Sequence, residues 1–336
     1  MSADIQTEKN GLCLITGGTG FVGRHLAASL LSRGGRVRIL TRSEAGRVAE
    51  PLPGAEYVHG DLGGDSSLGQ ALAGVEKAFH LASFVREAAP ADEEFRRVNV
   101  LGTERLARAA AAAGVSRFVH VSTTGVHGNV EDPPADEDAP IRAADIYQKT
   151  KWEGEEALRL VSKETGLPIT IIRPAGVYGP GDARLLKLFR LVQKGRFVML
   201  GDGTTLFHPV HVSDLVRGIL LAAESERAVG RTYIVAGERP VKLAELVERI
   251  AAALGVQAPR LRFPAGPVLV LAGVVERVCR PFGIEPPLFR RRVEFFTKNR
   301  AFSWKRAAEE IGYRPEVSLE DGLAGTVAWY REKGWL

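Results

Sequence analysis

Two groups of residues in this chain have the types and spacing to do chemistry together. Near the start, Thr16-Gly17-Gly18-Thr19-Gly20-Phe21-Val22-Gly23 follows a short apolar run and opens a helical pattern. Far downstream, Tyr147 and Lys151 stand four residues apart. Gly17, Gly20 and Gly23 meet three needs of a dinucleotide site: a tight turn, close approach of backbone to phosphate, and close packing of helix on strand. The helix N-terminus then offers free N–H groups and a partial positive charge to a pyrophosphate. Alone, such a triplet is a weak signal; the strand before it and the helix after it make it strong. A phenol ionises near pH ~10. An ammonium one helical turn away, on the same face, favours the phenolate. Tyr147 can then give a proton to a carbonyl being reduced or take one from an alcohol being oxidised. The predicted chemistry is hydride transfer coupled to proton transfer. An ordinary βα turn and an exposed Tyr–Lys pair are the plain alternatives. The coincidence of both features with the hydroxyl run Ser122-Thr123-Thr124 favours the chemical reading.

The elements that must position these residues alternate along the first half. Leu12–Thr16 reads as a strand, and residues 21–33 as a helix stopped by Gly34 and Gly35. Arg36–Thr41 and residues 56–59 are strands, and Asp65 caps a short helix ending near Leu72. Then come a strand at 77–82, a long helix at 95–113, a strand at 117–122, a helix at 145–165 and a strand at 169–173. Strands alternating with helices imply right-handed βαβ units and a parallel sheet covered on both faces. The expected class is α/β, a doubly wound parallel sheet of the Rossmann type with a smaller interleaved C-terminal substrate lobe. Further on, residues 207–212 and 231–235 read as strands, Leu243–Leu254 as an amphipathic helix and 319–333 as the last helix. Prolines and glycines crowd 264–287, which predicts loops and short helices there. The dinucleotide-binding domain is therefore placed at 10–180, with 207–235 returning to it. Residues 181–206 and 236–336 are assigned mainly to the substrate lobe.

The second strand ends Leu40-Thr41-Arg42-Ser43. An NAD site usually puts a carboxylate there for the ribose hydroxyls, whereas Arg42 and Ser43 suit a 2′-phosphate. The predicted cofactor is NADP in preference to NAD. Asp61, after the third strand, sits where it could accept from the adenine amino group; a turn cap is the alternative. Bulk composition sets limits on other functions. The chain has 336 residues, 45% hydrophobic and 25% charged, as in soluble globular proteins. The net charge of +5 is interleaved along the chain, so no nucleic-acid partner is expected. Two cysteines, Cys13 and Cys279, exclude a disulfide framework and give no metal-ligand spacing. A reduced, cytoplasmic enzyme without a metal is expected.

These motifs, in this order, resemble the extended short-chain dehydrogenase/reductase family, also called the NAD-dependent epimerase/dehydratase family. The resemblance spans nearly the whole chain: TGGTGFVG from Thr16, GDL from Gly60, HLAS from His80, NVLGTERL from Asn99, VSTTGVHG from Val121, YQKTK from Tyr147, RPAGVYGPGD from Arg173 and HPVHVSD from His208. It implies that Thr19, Phe21 and Val22 join the glycines at the cofactor. Leu62 after Asp61, then Leu81, Ala82 and Ser83, then Val121, Pro174 and Val177 are implied as further cofactor contacts. Lys151 would hold the nicotinamide ribose hydroxyls beside Tyr147. Thr123, with Ser122 as runner-up, would hold the substrate oxygen; Ser83, Thr124 and Tyr178 would line the substrate. Asn99 would order a water or the helix backbone near Lys151, a satisfied helix asparagine being the alternative. His127 and His208 are read as structural. The resemblance also implies a homodimer through a four-helix bundle containing the Tyr-Lys helix and residues 95–113.

Several reactions occur in that family. Dehydratases carry an Asp-Glu pair after the strand-end threonine, where this chain has Thr124-Gly125. Nucleotide-sugar epimerases usually carry an arginine before the His-Val-x-Asp motif, where this chain has Phe207. The leading expectation is an oxidoreductase interconverting a secondary alcohol and ketone on an apolar, steroid-, lipid- or flavonoid-like small molecule. It resembles the 3β-hydroxysteroid dehydrogenase-like and dihydroflavonol reductase-like branches. The second expectation is a nucleotide-sugar 4-epimerase with tightly held NAD, its diphosphate charge supplied by Arg231 or Arg292. A nonenzymatic dinucleotide sensor ranks third. The apolar segment 263–275, with arginines around it, reads as a substrate lid, a patch resting on anionic lipid, or a buried helix beside solvated arginines.

Overall fold

The computed structural model describes residues 11–43, 48, 50–63, 67–85, 92–279 and 293–336. The predicted cap Asp65 and the arginines at 280 and 290–292 lie outside them. The first strand, β1 (Leu12–Thr16), is apolar at nearly every position and buried throughout, as a central parallel strand must be. The glycine turn then opens α1 (Phe21–Ser32). Next come β2 (Arg36–Thr41), β3 (Ala55–His59), α2 (Leu68–Leu72) and β4 (Val75–His80). The long helix expected at 95–113 has an irregular centre. A short helix α3 (Asp92–Arg96) passes through a π-helical stretch, Arg97–Gly102, into α4 (Thr103–Ala112). Such wider turns often mark functional sites, and Asn99 lies inside this one.

After β5 (Arg117–Val121), α5 (Ile146–Thr165) begins where Asp145 Oδ1 accepts from Gln148 N–H at 2.8 Å. It ends at Gly166 in the left-handed conformation. Beyond β6 (Ile169–Pro174) lie β7 (Gly176–Tyr178), α6 (Ala183–Gln193), β8 (Met199–Leu200), β9 (Leu206–Phe207), β10 (Pro209–His211), α7 (Val212–Glu224) and β11 (Thr232–Val235). They are followed by β12 (Val241–Lys242), α8 (Leu243–Leu254), β13 (Arg262–Phe263) and α9 (Ala265–Cys279), and then by helices Lys305–Ile311 and Leu319–Glu332.

Seven parallel strands form the main sheet in the order β11-β6-β5-β4-β1-β2-β3. The order reverses between β1 and β4, where a doubly wound sheet leaves a ligand crevice at the carboxyl ends. Leu26 and Leu30 of α1 and Leu215 and Ile219 of α7 fill one face. Leu72, Leu106 and Leu158, from α2, α4 and α5, fill the other. A third apolar cluster joins α6, α8 and helix Leu319–Glu332 through Phe189, Ile250 and Tyr330.

Two sequence expectations are corrected here. Residues 207–212 are not one strand: β9 and β10 belong to different small sheets, β9 pairing with β12 and β10 with β7. Pro209 supplies no ladder N–H and stands at the break. Residues 264–287 were expected as loops and short helices, yet α9 runs for 15 residues. Pro267 falls in its first turn, where a missing N–H costs nothing. Gly273 inside it costs only about 1 kcal/mol. No described helix is long and apolar enough to cross a membrane.

Candidate functional site

The glycine turn is built by exclusion. Gly17 has φ of +72°, and a Cβ there would meet Ala82 N at 2.7 Å. A Cβ on Gly23 would meet Gly17 O at 2.1 Å, so only glycine lets α1 start so close to its strand. Gly20 N–H donates to Gly17 O at 3.0 Å and closes the turn. Thr19 and Gly20 are exposed, and Phe21 and Val22 half-buried, at the N-terminus of α1. This cradle fits a dinucleotide pyrophosphate: the backbone is uncovered, no acidic side chain stands in the first turn, and the helix end carries partial positive charge. The neighbouring strand ends meet it. Leu81 N–H donates to Thr16 O at 3.1 Å and Ala82 N–H to Thr16 Oγ1 at 3.3 Å, so the half-buried run Leu81, Ala82 and Ser83 is tied to the turn. Arg42 and Ser43 are exposed at the carboxyl end of β2. Asp61 accepts from Gly63 N–H at 3.0 Å and has Arg97 Nη1 at 3.7 Å; Leu62 beside it is buried in the sheet core.

On the other side of the crevice, α5 is docked onto the end of β5 by its lysine. Lys151 is 2% exposed, and its Nζ donates to Val121 O at 2.8 Å. Burial drives its pKa down to about 8, against the opposing pull of Glu155. Tyr147, one turn earlier, is half-buried. Thr123 is half-buried in extended backbone; its Oγ1 accepts from Gly125 N–H at 3.0 Å, leaving its proton to donate. Ser122 differs: its hydroxyl is buried and donates to Glu155 Oε1 at 2.5 Å. Of the two hydroxyls, only that of Thr123 remains available to an incoming oxygen.

Beneath this seam lies a buried ionic network. Arg173, 2% exposed, grips Glu155 with two hydrogen bonds of 3.0 and 2.7 Å; its Nη1 lies 3.0 Å from His127 Nε2. The guanidinium also lies over the Trp152 ring, 5.5 Å from its centroid. Burial pushes the Glu155 carboxyl up, but hydrogen bonds and charge from Arg173, with the Ser122 bond and Arg159, outweigh it and hold the group below 4.5. Asn99 acts as a clamp. Its Oδ1 accepts from Phe84 N–H at 2.7 Å, and its Nδ2 donates to Phe84 O and to Thr150 Oγ1, both at 3.1 Å. A Cβ on Gly154 would meet Asn99 O at 2.4 Å, so α5 packs on this wide turn through a glycine.

A sequence model of the NAD dependent epimerase/dehydratase family matches residues 13–236. The chain belongs to that family. It is an NAD(P)-dependent oxidoreductase of the extended short-chain dehydrogenase/reductase type. It is 31% identical to a 3-beta-hydroxysteroid dehydrogenase of Mycolicibacterium neoaurum, over 96% of this chain and 92% of that protein. It is also 31% identical to a 4-hydroxy-2-methyl-3-oxo-4-farnesyl-3,4-dihydroquinoline-1-oxide ketoreductase of Stigmatella aurantiaca, over 92% and 93%. Among solved structures it is similar to DesIV, a dTDP-glucose 4,6-dehydratase of Streptomyces venezuelae with NAD bound. That match has a TM-score of 0.76 and 28% identity, covering 96% of this chain and 98% of that one.

Two residues of this short-chain oxidoreductase lie differently from what the sequence suggests. Thr124, expected at the substrate, is 6% exposed and its hydroxyl donates to Pro174 O at 3.1 Å, knitting β5 to β6. Tyr178, also expected there, differs as well. It is buried in the third cluster, its ring edge-on to His211 at 5.4 Å, with no room for a Cβ between its hydroxyl and Gly322. The Asn99 side chain holds the Phe84 backbone and α5, in line with its expected contact to backbone and helix. Pro174 and Val177 are buried beside the crevice, and Val177 O accepts from Arg184 at 2.9 Å. His127 and His208 are buried and hydrogen-bonded, His208 to Gly237 O at 2.9 Å. The sequence reading missed Glu155 and Arg173. The signal was present: Glu155 follows Lys151 by one further turn, on the same face.

Proposed function

We propose that this enzyme interconverts a secondary alcohol and a ketone on an apolar, steroid-like substrate, with NADP(H) preferred over NAD(H). The observation that carries the reading is Lys151, a buried ammonium fixed to the carboxyl end of β5 beside Thr123 and one turn from Tyr147. Bound in the cradle, the dinucleotide supplies the hydride acceptor or donor. Tyr147 delivers or removes the hydroxyl proton of the substrate. Thr123 hydrogen-bonds the same oxygen as charge develops on it. Lys151, as a cation, favours the phenolate and offers protons to the ribose hydroxyls. Arg42 and Ser43, exposed at the end of β2, support a 2′-phosphate. The names of the relatives support an apolar substrate. The test is a panel of 3β-hydroxysteroids, other apolar alcohols and their ketones, followed at the nicotinamide absorbance with NADP(H) and NAD(H). Turnover of an apolar pair with NADP(H) favoured is expected; turnover of none rejects the substrate class.

The epimerase alternative loses support from two placements. Phe207 is buried against Gly176, filling the position where the diphosphate arginine was sought. Arg231 precedes β11, at the end of the sheet opposite the crevice, and pairs with Glu310 at 3.2 Å. We assign substrate binding mainly to 181–206 and 236–336, and assembly to a homodimer through α4 and α5. A dimeric mass by light scattering supports that assembly. Cytoplasmic placement rests on two free cysteines and is tested by cell fractionation.

Helix α9 supports a peripheral lipid contact. Val270, Leu271, Val274 and Val278 are 69, 55, 55 and 59% exposed on one stripe, and among the described side chains of this helix only Ala272 is fully buried. Exposed Arg260, Arg262 and Arg277 flank the stripe, which suits an anionic lipid surface and disfavours the buried-helix alternative. Co-flotation with phosphatidylserine vesicles, and not with phosphatidylcholine vesicles, is the expected result.

A further inference from the structure

Two imidazoles lie tilted against one another beside Lys151 and are used in opposite ways. His80 of β4 and His120 of β5 have ring centroids 5.0 Å apart, and both are fully buried. His80 is satisfied at both nitrogens: Nδ1 lies 2.7 Å from Thr16 Oγ1, and Nε2 lies 2.9 Å from Thr103 Oγ1. The Thr103 hydroxyl is already donated to Asn99 O at 2.8 Å, so it accepts from Nε2–H of His80. Ala82 N–H donates to the Thr16 oxygen, whose own proton is free to go to His80 Nδ1. His120 has a partner on one side only. Its Nε2 lies 3.2 Å from Lys151 Nζ, and its buried Nδ1 has no partner among the described residues.

We propose that His120 is a positioning residue for Lys151: its Nε2 accepts one ammonium proton, Val121 O accepts a second, and the third is left for the reacting groups. The proposal rests on the reading of Lys151 as the cation that serves Tyr147. The logic is one of forced tautomers. An ammonium has only protons to offer, so the nitrogen facing it must be bare. The imidazole proton is then driven to Nδ1, where no group of the described residues receives it. A buried unpaired N–H is costly. In this fold that cost secures a second acceptor for a lysine sealed away from water.

The charged and titratable groups facing His120 are Lys151 and Arg159 on α5 and His80 on β4; Glu155 acts on Lys151. Burial first, then the Lys151 ammonium, His80 and Arg159, hold His120 far below 6.5, so it stays a neutral acceptor at physiological pH. Burial likewise draws His80 down to about 3. A neutral acceptor stabilises the charged form of the lysine against the burial that brings it to about 8.

The test reads the lysine directly and needs neither substrate nor cofactor. Protein labelled with 13C,15N-lysine is titrated by NMR, and the Lys151 signal is identified by its loss in Lys151→Arg. His120→Leu should lower the Lys151 midpoint by about half a pH unit or more. His120→Gln, which keeps a polar acceptor, should return it towards the wild-type value. An unchanged midpoint in His120→Leu overturns the proposal. Should that variant fail to fold, 15N-histidine spectra of the unaltered protein decide. A neutral Nδ1–H tautomer at pH 7 is expected for His120; an Nε2–H tautomer or an imidazolium contradicts it. Either outcome is independent of whether any alcohol is oxidised.

Discussion

The seam between β5 and α5 and the surface of α9 break the usual burial rule in opposite directions. In the seam, Lys151, Glu155, Arg173, His80 and His120 are charged or polar and fully inside. On α9, Val270, Leu271, Val274 and Val278 are apolar and outside. The seam answers its own cost: almost every buried polar atom there has a partner in the chain. The apolar stripe of α9 has none among the described residues. Internal pairing makes a rigid site that holds reactive groups in one arrangement. An apolar stripe that the described residues leave open offers a surface for a partner. The first region is therefore proposed to carry the chemistry, and the second to meet lipid.

Changes in the seam should dominate. Tyr147→Phe should lower turnover roughly 100- to 10 000-fold while leaving dinucleotide affinity intact, because only the proton step is lost. Steady-state kinetics beside cofactor titration checks this, and an unaffected rate removes Tyr147 from the mechanism. Arg173→Met strands the Glu155 carboxylate in the interior and should cost about 3–5 kcal/mol in urea unfolding. A loss below ~1 kcal/mol would mean that water reaches the pair.

Acid should weaken the interior next. His80 takes a proton only near pH 3 and His208 near pH 4 when folded, burial being the main cause for each, against an ordinary value of 6.5. Between those limits the unfolded chain binds more protons. Stability therefore rises with pH across this window and is lost on acidification below 6.5. The loss is about 1.4 kcal/mol per histidine per pH unit. Unfolding midpoints compared at pH 7.5 and 5.5 test the sign; equal midpoints contradict it.

Smaller effects belong to the exposed regions. Arg42→Ala should weaken NADPH binding about tenfold and leave NADH nearly unchanged, since one charge-assisted contact is removed. Equal loss for both cofactors would remove the 2′-phosphate assignment. Replacing Val270 and Val274 by serine should change folding stability by less than ~0.5 kcal/mol. The same pair should reduce flotation with phosphatidylserine vesicles. A large loss of stability would mean that the stripe packs against part of this chain.

The legible parts of the molecule were those encoded locally. The glycine turn, the strands on either side of it and the Tyr-Lys helix each carry their signal within a few residues. The strand alternation also predicted the parallel sheet. Side-chain facing was not legible. Thr123 and Thr124 are adjacent hydroxyls, and only the path of β5 past β6 decides which one is spent on Pro174 O. Tyr178 read as a crevice residue because of its motif, while the third core cluster claims its ring. Helix α9 was obscured because Pro267 and the glycines signal breaks, although a proline in the first turn breaks nothing. The role of His120 depends on a lysine 31 positions away.

The most direct measurement follows absorbance at 340 nm when the purified protein meets NADPH and a 3-ketosteroid, beside Tyr147→Phe under the same conditions. The account predicts NADPH consumption matched mole for mole by secondary alcohol, and near silence from the variant. Absence of turnover with every apolar ketone, while a nucleotide sugar is epimerised, would contradict it.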